Sequence, residues 1–307
     1  MSIRKHSILR QILGNAPYLI MTILGLASSL STSILVTKHL GLEDRTMYGI
    51  ATVTIMQVLM VAQLGLPGSF SIFGAHVMMK LKFSWLLRTL LLKMLIIAVI
   101  LGIYTFFQRI ELSVIVLILT NSVLLIPAQW LYNSLQQHLK RDIFFLLRFT
   151  PSLLQFFIVL IISALNIQSL NTFLISWVLS NLIFLITSII FFKAKTHKTD
   201  KISDLNSFKI LIRNGYAGFI PHVSIQEILK LEYVLIPVLK SPIFSASYFA
   251  IIGIASFPKI ICDSVAVSNF NILLKSDKTG KISLINRIII QVILILMIAI
   301  LVNLFLL

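Results

Sequence analysis

Charge is what this chain has least of. Charged residues make up 12% of its 307 positions, roughly half the share of a soluble domain. A chain so poor in charge and 58% hydrophobic cannot cover itself with polar surface. That excludes an ordinary water-soluble fold and makes lipid part of the solvent. Acidic residues are scarcer still: Asp and Glu number 10 against 26 Lys and Arg, for a net charge of +16. In a soluble protein that excess would point to nucleic acid. Here the basic residues sit mostly in short loops between apolar runs, so membrane topology and anionic headgroups account for them, and no nucleic-acid partner is expected. The one cysteine, Cys262, lies inside an apolar run, which rules out an intramolecular disulfide and suggests no cysteine metal site. Glycine-rich phosphate loops, nucleophile elbows and metal-spaced histidines are missing too. His138-Leu-Lys-Arg-Asp142 has three intervening residues where the membrane acyltransferase box has four. The sequence therefore predicts a protein that is not an enzyme and uses no cofactor.

What the chain does have is apolar runs in series. A helix needs about 20 apolar residues to cross the hydrocarbon layer. On that ruler the spans are roughly Ile12–Val36, Tyr48–Pro67, Phe83–Phe107, Leu112–Leu135, Ile143–Leu165, Ser169–Phe192, Phe208–Leu239, Phe244–Phe270 and Ile282–Leu307. Each is expected to be helical, because lipid offers no water to satisfy open backbone groups. The longest polar break, Phe191 to Lys209, carries Lys193, Lys195, Lys198 and Lys201 against Asp200 and Asp204. The fold class expected is an all-α polytopic membrane protein of about nine transmembrane helices. It divides into an N-terminal six-helix lobe (1–192), a linker (193–207) and a partial three-helix lobe (208–307).

The loops test this count. Lys and Arg are retained on the cytoplasmic side during insertion. The loops after the second, fourth, sixth and eighth spans carry Lys80, Lys82 and Arg88; Lys140, Arg141 and Arg148; the linker lysines; and Lys275, Lys278, Lys281 and Arg287. The opposite loops hold few or balanced charges, such as Lys38, Glu43, Asp44 and Arg45, then Arg109 and Glu111. This asymmetry predicts a cytoplasmic N-terminus and linker and an external C-terminus. The basic start, Met1 to Arg10, reads as the flank of a first span rather than a cleaved signal, since the apolar run continues past the small residues at 27–29. An odd number of spans, stopping within the apolar run that ends at Leu307, predicts a C-terminally truncated protein.

Charges at bilayer depth cost at least ~2.5–3.5 kcal/mol and usually face a cavity or a partner. The seventh and eighth spans hold most of them: Arg213, His222, Glu227, Lys230, Glu232, Lys259 and Asp263. Glu227–Lys230 and Lys259–Asp263 have the i,i+3 and i,i+4 spacing of structural pairs, and a polar cavity is the alternative. Lys93 and Arg148 lie singly near cytoplasmic helix ends and read as snorkelling cations.

Several segments resemble a known family. Leu40-Gly-Leu-Glu43-Asp-Arg45-Thr-Met-Tyr48 resembles the LG-x-E-x-R-x-x-Y turn of bacterial O-antigen flippases, and Leu64-Gly-Leu-Pro67 is similar to the LGLP that often ends their second helix. The segment around Glu232, from Ile228 to Ile236, is similar to one that commonly carries Asp there, and Phe244 to Ala250 takes the place of its G-x-Y-x-x-A helix start without the Gly. Asn15 precedes Tyr48 by 48 − 15 = 33 residues and Asn214 precedes Tyr248 by 248 − 214 = 34, an echo of parallel repeats. The resemblance implies the multidrug/oligosaccharidyl-lipid/polysaccharide exporter fold in the inner membrane. Its cargo would be a lipid-linked oligosaccharide, undecaprenyl-diphosphate-bound. Arg213, Lys230 and Lys259 would meet the diphosphate and sugar, and His222, Glu227, Glu232 and Asp263 would couple ion movement. Membrane lipids and polysaccharide polymerase or assembly proteins would be partners. The rival readings are a drug/cation antiporter of the same superfamily, which would favour a net acidic cavity; a non-transporting remnant; and a membrane glycosyltransferase or polymerase, which would want a large outer loop.

Overall fold

The computed structural model describes residues 2–63, 66–73, 78, 83–108, 111–196 and 244. Among them there are seven helices and no strand: α1 (Ser2–His39), α2 (Leu42–Gln63), α3 (Leu66–Phe73), α4 (Phe83–Gln108), α5 (Leu112–Ser134), α6 (Arg141–Ala164) and α7 (Leu170–Thr196). Four stretches, Ile20–His39, Leu112–Ser134, Asp142–Ala164 and Leu170–Ala194, are long and apolar enough to cross a membrane. Large apolar side chains cover the outside of the bundle, among them Leu91, Leu95, Phe157, Ile161, Leu179 and Ile190. That is the surface of a multi-pass membrane protein, since water would leave such patches to aggregate. The spans expected beyond the linker, and the division into two lobes, lie outside the described residues.

At the first turn the chain is helical beyond the limits of its apolar runs. The loop expected from Lys38 to Met47 shrinks to Leu40 and Gly41, because α2 already starts at Leu42. Glu43 and Asp44 occupy its first turn, where negative charge favours the exposed amides. Pro67 sits in the first turn of α3, where its missing N–H deprives the helix of nothing. At the other end of the six-span segment, α7 runs to Thr196 and so carries Lys193 and Lys195 within the helix. Residues 197–207 of the expected linker lie outside the described residues.

α6 and α7 join through a tight helix stop. Asn166 adopts φ 53, the left-handed region that Asn tolerates better than most residues. The Ile167 N–H then donates to Ile162 C=O and the Asn166 N–H to Ser163 C=O, the paired bonds of a Schellman stop. Polar side chains inside the helices largely return to their own backbone. Thr32 donates to Ser28 C=O, Ser122 to Ile118 C=O and Thr150 to Leu146 C=O, so their hydroxyls need no water.

Packing divides the interior in two. One cluster is mostly aliphatic and joins Val36, Ile55, Ile97, Ile118, Ile162 and Leu174 from six helices. The other, around Tyr132, Phe144, Phe145, Phe149 and Phe184, is mostly aromatic. Tyr132 stacks on Phe144 with centroids 4.4 Å apart. Within the bundle α1 packs chiefly on α6, α5 on α7, and α3 on α5.

Candidate functional site

The seven residues expected to form the cavity, Arg213, Lys230, Lys259, His222, Glu227, Glu232 and Asp263, all lie outside the described residues. The site the described residues do form was not anticipated. It sits where α4 and α5 meet, with α3 alongside.

Its centre is Lys93, near the middle of α4. The sequence around it, Leu-Leu-Leu-Lys93-Met-Leu-Ile-Ile, is otherwise apolar, and helical geometry turns the lysine to the same side as buried Ile97 and Leu101. The side chain is 1% exposed, so it does not snorkel outward. It turns into the bundle, and its Nζ lies 5.2 Å from the centroid of the Trp130 ring on α5. A cation in that position gains from the ring quadrupole, by about 0.5–1 kcal/mol when exposed and more when desolvated. Lys93 Nζ nevertheless has no hydrogen-bond acceptor, and Trp130 Nε1, in a residue 2% exposed, has none either. Two unpartnered donors therefore share one buried place.

Around this pair the polar groups are satisfied. Phe70 of α3 meets Trp130 at 6.2 Å between centroids. One residue on, Ser71 Oγ donates to Asn133 Oδ1 at 3.2 Å and the Gln137 amide donates to Ser71 C=O at 2.8 Å. These bonds fasten the eight-residue α3 to the end of α5 and the turn that follows. Ser71, Asn133 and Gln137 find partners in one another here, while the ammonium and the indole N–H do not.

Arg148 is the second interior cation. It lies two turns into α6, half-buried, with Nη1 closed to solvent and unbonded, and its guanidinium is 5.7 Å from the Phe149 ring centroid. A third polar feature joins α5 and α7: Asn181 Nδ2 donates to Asn121 Oδ1 at 2.7 Å, both residues being closed to solvent.

The turn that carries the family resemblance is also built from specific bonds. Arg45 Nε donates to Leu40 C=O at 2.7 Å, tying down the carbonyl of the residue that follows α1. Three residues on, the Tyr48 hydroxyl accepts from Gln155 Nε2 at 3.3 Å, linking α2 to α6 across the bundle. Compared with protein-family models, curated proteins and solved structures, the chain matches none. The sequence signal for Lys93 was one charge amid an apolar run. Its inward direction needed the neighbouring buried positions, which a single sequence does not mark.

Proposed function

We propose that this protein flips undecaprenyl-diphosphate-linked oligosaccharide repeat units across the bacterial inner membrane, for O-antigen or other surface polysaccharide. The observation that carries the reading is the Leu40–Tyr48 turn. Two of the residues by which it resembles the flippase pattern, Arg45 and Tyr48, also bind through their side chains, to the Leu40 carbonyl between α1 and α2 and to Gln155 of α6. The basic residues of the expected seventh and eighth spans, Arg213, Lys230 and Lys259, suit an anionic cargo and disfavour a cationic drug. Diphosphate needs donors or fixed positive charge to leave water, and Arg213, Lys230 and Lys259 are the residues proposed to supply it. His222, Glu227, Glu232 and Asp263 are proposed to couple ion movement to the change of access.

The reading is tested in a strain whose surface polysaccharide depends on this gene. Lys259→Ala and Arg213→Ala should each reduce surface polymer, with lipid-linked repeat units accumulating on the cytoplasmic face and protein level in the membrane unchanged. Normal export by both variants would remove the cationic site. Loss of inserted protein in both would assign those residues to helix pairing instead. The proposed orientation is checked with reporter fusions, expected cytoplasmic at Lys198 and external at Asn166.

A further inference from the structure

The geometry points to a binding site for a small monovalent anion, of chloride size, between Lys93 and Trp130. Lys93 Nζ and Trp130 Nε1 are both buried donors with no acceptor. The indole N–H belongs to the ring over which the ammonium lies, 5.2 Å from its centroid, so the two donors are neighbours and one shared acceptor is assigned to them. An orphaned buried donor carries its full desolvation penalty, and an uncompensated ammonium carries a larger one. Two such costs at one place are removed together by a single anion.

Charge and size narrow the choice. Among the described residues no carboxylate pairs with Lys93, so one positive charge stands to be neutralised and a monovalent ion balances it. Both donor atoms are closed to solvent in residues 1% and 2% exposed, which favours a one-atom ion over a polyatomic headgroup. The neighbouring polar groups do not compete for it: Ser71, Asn133 and Gln137 are engaged with one another. The ion would be a fixed counter-charge that lets a lysine reside inside the bundle, and its presence does not depend on the cargo proposed above.

The test uses the full chain with Trp85→Phe and Trp177→Phe, so that Trp130 alone emits, in nanodiscs of phosphatidylcholine and chloride-free gluconate buffer. Bromide, a heavy-atom quencher, is the probe. Quenching should saturate with concentration, be reversed by added chloride at constant ionic strength, persist in Lys93→Arg and vanish in Lys93→Gln. Quenching that rises linearly without saturation, that chloride does not reverse, or that is the same in Lys93→Gln reports collision or an adventitious ion only and overturns the site. A flat response to bromide overturns it as well. Should Lys93→Gln fail to fold, saturation and chloride competition in the single-tryptophan protein decide the matter alone.

Discussion

Two helix pairs hold this bundle together by different means. α1 and α6 pack by close approach. Gly25 lies buried against the Phe149 ring, and a Cβ there would run into that ring. α5 and α7 are held with polar help, through the Asn121–Asn181 bond. In lipid no hydrophobic gain drives helices together, since the tails are as apolar as leucine, so small residues and interhelical hydrogen bonds are the two devices left. The chain uses one in each pair. A close-packed pair should fail sharply when a methyl group is added, whereas a hydrogen-bonded pair should fail mildly and in a way that depends on its partner.

The largest effect is expected at the first pair. Gly25→Leu must push aside Phe149 or part the helices, and overpacking of this kind costs about 1–3 kcal/mol or more. Thermal unfolding of the purified protein should show a clear drop, and Phe149→Ala should recover part of it by vacating the ring's place. Gly102→Ala is the control: a Cβ at 102 meets nothing within 4 Å, so it should be neutral or stabilise slightly. Equal losses at positions 25 and 102 would show that helix propensity, not close approach, sets the value of Gly25.

The second pair should respond less. Interhelical hydrogen bonds in membranes average about 0.6 kcal/mol, with a maximum near 1.7. Asn181→Leu should fall in that range, because it leaves Asn121 Oδ1 without its donor, and Asn121 Nδ2 is already unbonded. The double replacement of Asn121 and Asn181 by Leu should cost less than the sum of the singles, since it leaves no orphan. Strict additivity in a double-mutant cycle would mean that the two amides do not interact.

How much of this was legible beforehand follows from what periodicity encodes. Helical class and the course of α5 and α6 follow from apolar length, and expected and observed ends there agree within a few residues: Leu112–Leu135 against Leu112–Ser134, and Ile143–Leu165 against Arg141–Ala164. The start of α2 was placed too late because the charged Leu42–Met47 stretch, read as loop, forms the first turns of the helix. Lys93 was expected to snorkel because it was read as lying near a cytoplasmic helix end, whereas it lies near the middle of α4. Which way round the helix it points depends on what covers Ile97 and Leu101, a tertiary fact. The pairing of Asn121 with Asn181 is 60 residues apart in sequence, and nothing local to either residue announces it.

The smallest effect expected lies between the two pairs, at the bond from Gln155 Nε2 to the Tyr48 hydroxyl. Its length, 3.3 Å, is beyond the usual range for a strong bond to a hydroxyl, so its direct worth is modest. Tyr48→Phe keeps the ring and removes the acceptor, and it should lower stability by about 0.5 kcal/mol, at the bottom of the range for a neutral hydrogen bond. Gln155→Leu in the same background should add almost nothing, because its donor has already lost that partner. The proposed function gives this pair a second measurable consequence. Tyr48 belongs to the turn that resembles the flippase pattern, so if the bond merely stabilises α2 against α6, Tyr48→Phe should leave surface polymer in proportion to protein level. A loss of polymer several-fold beyond the loss of protein would show instead that the hydroxyl acts in transport and that the contact with Gln155 is the lesser of its roles.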